Sequence, residues 1–499
     1  MDRTDSRVAL WLFLTLSCLY MLTGGGHFYA SDDTQKLAVL VSFFEKGTFA
    51  IPGGWATGLG GHLYSWFPLG ASIVMLPGYM LGKLAALLVP GMPAEYVVRF
   101  AVSLENAFFS AGLVALAFVY LRWLGRGLGA SAFVALALGG ATMIWPYAKT
   151  AWSEPSTAFF AFAGMIAAHI ASSNQLDNRW LALAGAGVAA AAFIRQELGL
   201  VAVGIGFWLL LHHWRQPRAL ARAWAIFAAP MVVVVGLSLW YNQARYGAIL
   251  ALPNYTMPQE NLGVGSGRLF WAFGNLLQYT VNPNQGVLWF SPPVLLGLWG
   301  FRRFWKAHPG AAQLIAITVV PLTFFYVYAW GLSSWAWGLR FAYVLVPLLI
   351  LPAAMFWESG WKQRLAVAVV ALGVGVQLLG VFHNPVDLYE RELARTPGLT
   401  IQTLMSEPVH SPIWLAIHDA PQAVAGAVEL VARGPGAAAD VAAYREARQQ
   451  LPDWWGFLLL LTPMPRWLVA AGAVGLLAAF ALSGRKLVTS LRQADRAAG

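Results

Sequence analysis

The sequence predicts an all-α, polytopic membrane protein with about twelve transmembrane helices, and three observations predict it. Apolar residues make up 59% of the 499 and charged ones only 11%, against roughly 45–50% and ~25% in soluble domains. The apolar residues come in long runs, not at the spacing of half-buried helices. The Lys and Arg lie scattered in short loops between those runs, so the net charge of +10 fits membrane topology and not nucleic-acid binding. The single cysteine, Cys18, excludes an intrachain disulfide framework.

The first apolar run follows Met1-Asp2-Arg3-Thr4-Asp5-Ser6-Arg7. Thr23-Gly24-Gly25-Gly26 is only a loose match to a signal cleavage site, so the run is expected to stay as an anchor. Spans are then expected near 8–23, 98–120, 128–146, 155–171, 180–194, 197–212, 223–240, 286–301, 311–330, 340–357, 363–382 and 467–483. Arg122 and Arg126, then Arg215, Arg218 and Arg222, then Arg302, Arg303 and Lys306, then Lys362 and Arg364 mark the basic short loops. Arg485, Lys486, Arg492 and Arg496 mark the tail. The positive-inside rule places all of these in the cytoplasm, with both termini.

Two segments decide whether this topology closes. Counting 66–89 as one crossing would put the Arg122/Arg126 loop outside and reverse every later loop. It is therefore expected to lie at the outer face as a helix or a broken hairpin, interrupted at Pro77-Gly78. One long helix over 180–212 would separate Arg179 from the Arg215 cluster. Two short helices turning outside at Arg195-Gln196-Glu197 keep the sides consistent. The chain then divides into a transmembrane module over 1–382, with a first outer loop at 24–97, an outer segment over 383–466, and a last helix with its basic tail over 467–499. The outer segment has helical character from Asp440 to Gln450 and an interfacial pair in Trp454-Trp455.

Charged residues are costly in lipid, so those at the outer ends of the spans are the informative ones. Ser31-Asp32-Asp33-Thr34-Gln35-Lys36 follows the first span directly. Ser31 or Asp32 can cap a short helix, and Lys36 falls on the same face as Asp32. That is either a cap with a local salt bridge or an outer-face carboxylate with a cation beside it. Tyr147 to Pro155 holds Lys149, Ser153 and Glu154; it is either an ordinary helix start with Pro155 in the first turn or a second functional carboxylate. Arg195 and Glu197 either pair with each other or face a cavity. Arg340, at the end of a Trp-rich stretch that includes Trp337, suits a phosphate or a sugar, or serves as an interface anchor. The nine histidines do not group at metal-ligand spacing apart from His212-His213 in a cytoplasmic loop. No phosphate-cradling glycine loop or nucleophile elbow is present. No cofactor is expected, and a divalent metal has no support in the spacing.

Taken together, these segments resemble the C-type glycosyltransferases, the multi-spanning enzymes that use polyprenyl-phosphate sugars. Their relatives include protein O-mannosyltransferases and the enzymes that add aminoarabinose to lipid A. The resemblance rests on Asp32-Asp33 after the first span, Gly61-His62-Leu63-Tyr64-Ser65, Phe67-Pro68-Leu69-Gly70 and Ser153-Glu154-Pro155. It continues in Arg195-Gln196-Glu197, Tyr241-Asn242 with Arg245-Tyr246-Gly247, Phe290-Ser291-Pro292-Pro293 and Trp337-Gly338-Leu339-Arg340. It runs from about Tyr29 to Leu459 and is specific through order and sidedness more than through any one motif. One departure stands out. Relatives often carry a basic residue just before the Phe67-Pro68 position, where this chain has Trp66; Lys36, Arg195 or Arg340 would have to meet the carrier phosphate instead.

The resemblance implies transfer of a hexose or pentose from a polyprenyl-phosphate donor, of the undecaprenyl type in a bacterial inner membrane, with inversion. The acceptor is a hydroxyl on a lipid, glycan or protein at the periplasmic face. Asp32, Asp33 and Glu154 are the expected catalytic residues, with Asp32 the preferred general base. Lys36, His62, Tyr64, Lys149, Arg195, Glu197, Trp337 and Arg340 are the expected donor-binding residues. A transporter or lipid flippase would explain the spans equally well. Transporters, however, place charge and broken helices near the bilayer midplane, whereas Asp32 and Glu154 are expected at its outer boundary. A non-catalytic assembly subunit would tolerate replacement of both.

Overall fold

The computed structural model describes residues 3–89, 92–251, 268–330, 335–357, 360–433, 453 and 466–498. Helix α1 (Arg3–Leu22) buries Val8, Leu12, Leu16 and Tyr20 along one stripe, the spacing that keeps successive turns on one face. A short loop leads to α2 (Ser31–Lys46). A hairpin follows, β1 (Ala56–Thr57) against β2 (Leu63–Tyr64), with Ala56 opposite Tyr64. Its turn needs Gly60 and Gly61, both at positive φ. Next come α3 (Leu69–Ile73), α4 (Leu76–Leu88), α5 (Ala94–Ser103) and α6 (Glu105–Trp123).

The interruption in the apolar 66–89 stretch falls at Val74-Met75 and not at Pro77-Gly78. Pro77 lies in the first turn of α4, where its missing N–H costs nothing. Gly78 and Gly82 let α4 close on α5; a Cβ on Gly82 would overlap Val98. Leu69–Leu88 is long and apolar enough to cross a bilayer, yet one ion pair argues that it does not. Asp5 near the start of α1 accepts from Arg122 near the end of α6 at 2.6 Å. Both residues therefore lie at one membrane face, and α1 with α5–α6 already supplies the two crossings this requires.

The remaining helices are α7 (Leu128–Ala141), α8 (Ile144–Tyr147), α9 (Glu154–Ser173), α10 (Asn178–Ile194), α11 (Gly199–His213), α12 (Pro217–Tyr246), α13 (Arg268–Val281), α14 (Val287–Phe290), α15 (Val294–Ala307) and α16 (Pro309–Phe325). After them come α17 (Val346–Ile350), flanked by 3-10 turns from Arg340 to Met355, then α18 (Trp361–Phe382), α19 (Pro385–Arg395), α20 (Ile401–Ser406), α21 (Pro412–Arg433) and α22 (Arg466–Ala498). Among the described residues eight helices are long and apolar enough to span a membrane, and Leu128–Ala141, Asn178–Ile194 and Arg340–Met355 are shorter apolar ones. Each of the expected spans falls on a helix or a helical pair. The turn at 195–197 is present, as the 3-10 segment Gln196–Leu198 between α10 and α11. The proposed helix over 440–450 and the Trp454-Trp455 pair lie outside the described residues.

Two breaks inside the bundle explain each other. Ser291-Pro292-Pro293 separates α14 from α15, because proline cannot donate to the helical ladder. The groups left over are satisfied across helices. Gln377 Nε2 donates to the Phe290 carbonyl at 2.9 Å, and Ser291 Oγ accepts from the Met143 N–H at 3.2 Å, in the break between α7 and α8. Away from water a backbone break survives only when neighbours supply such partners. Close helix packing relies on glycine as well: a Cβ on Gly297 or Gly300 would overlap the Leu349 or Pro352 carbonyl.

Candidate functional site

Five elements meet at one face of the bundle. Helix α2 carries Asp32 and Asp33 in its first turn. Ala30 is the N-cap and no side chain caps the helix, so the expected capping by Ser31 or Asp32 is not formed. The reason is tertiary: the Asp32 carboxylate accepts from Arg340 Nη2 at 3.0 Å. Lys36 does not take Asp32 either. Its Nζ donates to Asp33 at 3.0 Å, one turn away, and lies 5.1 Å over the Phe67 ring.

Glu154 opens α9, with Pro155 in the first turn as the sequence suggests. It is buried and touches two guanidinium groups: Arg195 Nη1 donates at 2.5 Å, and Arg340 Nε lies 3.6 Å away. Arg195 also holds Glu197, at 2.7 Å through Nε and 2.6 Å through Nη2. It therefore joins the start of α9 to the turn between α10 and α11. Phe341 lies flat beneath both cations, 5.0 Å from Arg195 and 5.3 Å from Arg340. A planar, always-charged group suits this place, since it can bind two carboxylates and stack on a ring together.

The result is a chain Asp32–Arg340–Glu154–Arg195–Glu197, with the Asp33–Lys36 pair beside it. Burial tends to raise the Asp32 pKa, but Arg340 and then Lys36 outweigh it and hold the carboxyl below its usual value. Asp33 behaves oppositely. Burial dominates over Lys36, with Asp32 adding to it, and its carboxyl is pushed up to about 6. Burial would lower the Arg195 pKa; Glu197 and Glu154 more than offset that and keep it raised.

This chain forms one wall of a cleft of about 120 Å³, the liquid volume of roughly four waters. Asp32, Arg195, Glu197 and Arg340 line it together with Trp66, Phe67 and Pro68, and Ser153, Ile194, Gln196 and Phe341 complete the lining. The Trp66 wall is fixed from behind. Arg245, fully buried at the end of α12, donates to the Ser65 carbonyl and to Asn242 Oδ1 at 3.0 Å, and stacks on Tyr241 at 3.6 Å. Gly70 sits against the Phe193 carbonyl with no room for a Cβ, which brings the Phe67-Pro68-Leu69-Gly70 stretch onto the end of α10.

The other expected residues lie elsewhere. His62 is exposed on the hairpin. Tyr64 is buried with its edge toward Tyr246. Trp337 is buried behind Arg340, packed on Phe290 and against Gly380. Lys149 is fully buried and does not reach the cleft. Its Nζ donates to the Asp453 carboxylate and to the Asp453 carbonyl, each at 2.9 Å, and to the Val381 carbonyl. Three donors and three acceptors saturate the ammonium. Burial lowers the Lys149 pKa, with Asp453 opposing. Asp453 also accepts from Tyr29 and meets His27 Nε2 at 2.5 Å. Burial would raise its pKa, but Lys149 and His27 hold it far below the usual value. Sequence reasoning misses Asp453 and Phe341, although Asp453 directly precedes the Trp454-Trp455 pair and Phe341 directly follows Arg340. Among the described residues no group of His, Cys, Asp or Glu could hold a metal ion.

Fold and site thus define a multi-spanning helical membrane protein with a carboxylate–arginine cleft at one end of its bundle. No protein-family model matches the sequence, and the comparison with curated proteins finds no match. Among solved structures, the fold is similar to that of ArnT from Cupriavidus metallidurans in the apo state, with a TM-score of 0.52 at 15% identity, over 98% of this chain and 76% of that one. The crystal structure of ArnT from Cupriavidus metallidurans bound to undecaprenyl phosphate gives a TM-score of 0.48 at 16% identity, over 97% and 77%. The architecture expected from the sequence is therefore the one found.

Proposed function

We propose that the protein is a polyprenyl-phosphate-sugar-dependent glycosyltransferase of a bacterial inner membrane, acting on a hydroxyl acceptor at the periplasmic face. The observation that carries this reading is the Asp32–Arg340 pair at the cleft, a carboxylate and a cation side by side on one wall, in a chain with the ArnT fold. The motif resemblance adds order and sidedness. The catalytic module is taken as 1–382, with 383–466 as an outer segment.

In this reading Asp32 accepts the acceptor hydroxyl proton as the oxygen attacks the anomeric carbon. The bond from that carbon to the phosphate oxygen breaks with inversion, and the polyprenyl phosphate leaves with the bonding pair. A carboxylate kept ionised by Arg340 is available as base without a prior deprotonation. Arg340 and Arg195 stabilise charge growing on the leaving phosphate, and preorganised cations in a partly dry cleft are worth far more than in water. Glu154 orients both guanidinium groups. The cleft has room for a phosphate group, and Trp66 in its lining offers an aromatic surface to the sugar.

The test is transfer from a panel of labelled polyprenyl-phosphate sugars in membranes that carry the protein, with crude envelope acceptors present. The expected outcome is loss of label from one donor with wild type and not with Asp32→Asn. A folded wild type that consumes no donor across hexose and pentose carriers overturns the transferase reading and favours transport. Asp32→Asn at wild-type activity removes Asp32 as the base while leaving the transferase reading in place.

A further inference from the structure

Helix α21 (Pro412–Arg433) presents three distinct faces. Ala416, Asp419 and Ala423 are buried against the protein, and Asp419 is tied to Arg391 at 3.0 Å and Arg395 at 3.1 Å on α19. Trp414, Ile417, Val424 and Val428 form a second face, and they are 46–67% exposed. These positions recur at intervals of three, four and seven residues, so they share one stripe of the helix. His418, Gln422 and Glu429 run along one edge of that stripe. Apolar side chains of this size, aligned and uncovered, mark a surface that something contacts.

The neighbouring span indicates what covers it. Helix α21 packs on α18 (Trp361–Phe382). Only 28% of the apolar window of α18 is buried inside the protein, and Leu372, Leu378 and Phe382 are exposed. That surface faces lipid. The uncovered stripe therefore sits on a helix that itself packs against a lipid-exposed span. An apolar stripe with a polar edge, and a tryptophan at its start, is the pattern of a helix lying in the interface plane.

We infer that α21 is an interfacial helix seated in the bilayer leaflet on the site's side, with Trp414, Ile417, Val424 and Val428 among the acyl chains. It reaches the cleft through a short path. Asn284 Nδ2 donates to the Leu404 and Glu407 carbonyls at 2.8 and 2.7 Å, ahead of α21, and the next residue, Gln285, accepts from the Leu339 N–H at 2.9 Å, just before Arg340. The bilayer therefore supports the outer segment that backs the Arg340 turn.

The test uses the full chain in nanodiscs with one copy per disc, in a Cys18→Ser background that removes the single cysteine. A spin label is placed at Val424→Cys and, separately, at Gln422→Cys. The expected result is collision of the Val424 label with oxygen and several-fold lower collision with an aqueous nickel chelate than at Gln422. Equal access of the chelate to both labels overturns the inference. So does protection of the Val424 label from oxygen and chelate alike, which would assign the stripe to a protein surface instead. If Val424→Cys does not fold, Val428→Cys reads the same stripe.

Discussion

Arg340 Nη2 lies 3.0 Å from Asp32 Oδ2, although 308 residues separate them in the sequence. The same guanidinium approaches Glu154 at 3.6 Å, and Arg195 carries the chain on to Glu197. Asp32 and Glu154, which open two helices far apart in the chain, are thus each held by an arginine from a distant segment.

Asp32→Asn keeps the size of the side chain and an acceptor for Arg340, so the fold is expected to survive. Removal of the proposed base is expected to lower transfer by about 10²–10⁴-fold. The check is turnover against an unchanged thermal melt of the purified protein.

Arg195→Lys is expected to lose more than its charge count implies. One ammonium cannot span Glu154 and Glu197 while stacking on Phe341 as the guanidinium does. Turnover on a saturating donor is expected to fall at least about tenfold, and Arg195→Gln is expected to cost about 3–5 kcal/mol of stability by leaving buried carboxylates short of a partner. Wild-type turnover in Arg195→Lys would show that the paired geometry is not needed.

Asp453→Asn leaves the buried Lys149 ammonium without its counter-ion and is expected to cost about 3–5 kcal/mol. Removing both charges in Lys149→Met with Asp453→Leu is expected to be much milder, since two apolar groups replace a pair that was costly to bury. Melting temperatures of the two variants beside wild type decide it. A double variant as unstable as the single one would mean that packing of Tyr29 and His27 matters more than charge.

Asp33 sets a pH dependence of definite sign. Its folded pKa is raised to about 6, above the ~3.9 of an unfolded chain, so the folded state binds the extra proton. Stability from this group is present below about pH 4 and falls as pH rises through about 6. Asp33→Asn is expected to flatten the decline in melting temperature between about pH 4 and pH 6. A decline of the same slope in the variant would assign it to another group.

Local chemistry made much of this protein legible. The apolar runs marked the helices, and the polar motifs at helix ends picked out Asp32, Glu154, Arg195 and Arg340, which the fold brings together. Proline and glycine were read less well. Pro77 looked like a break but sits in a first turn, and the true break lies at Val74-Met75. Lys149 was assigned to the cleft because Glu154 is near it in sequence. Its partner is Asp453, from the far side of the outer segment.

The sequence by itself determined that this chain lives in a membrane and roughly where its helices run. Those are sums over neighbouring residues: transfer energy accumulates along a run, and loop charge is counted within a loop. Only the tertiary structure decided which carboxylate meets which cation. A buried charge takes the partner that the packing of helices places within about 3 Å, and that distance bears no relation to separation along the chain. Asp32 therefore answers to Arg340 and not to Lys36, and Lys149 answers to Asp453 and not to Glu154.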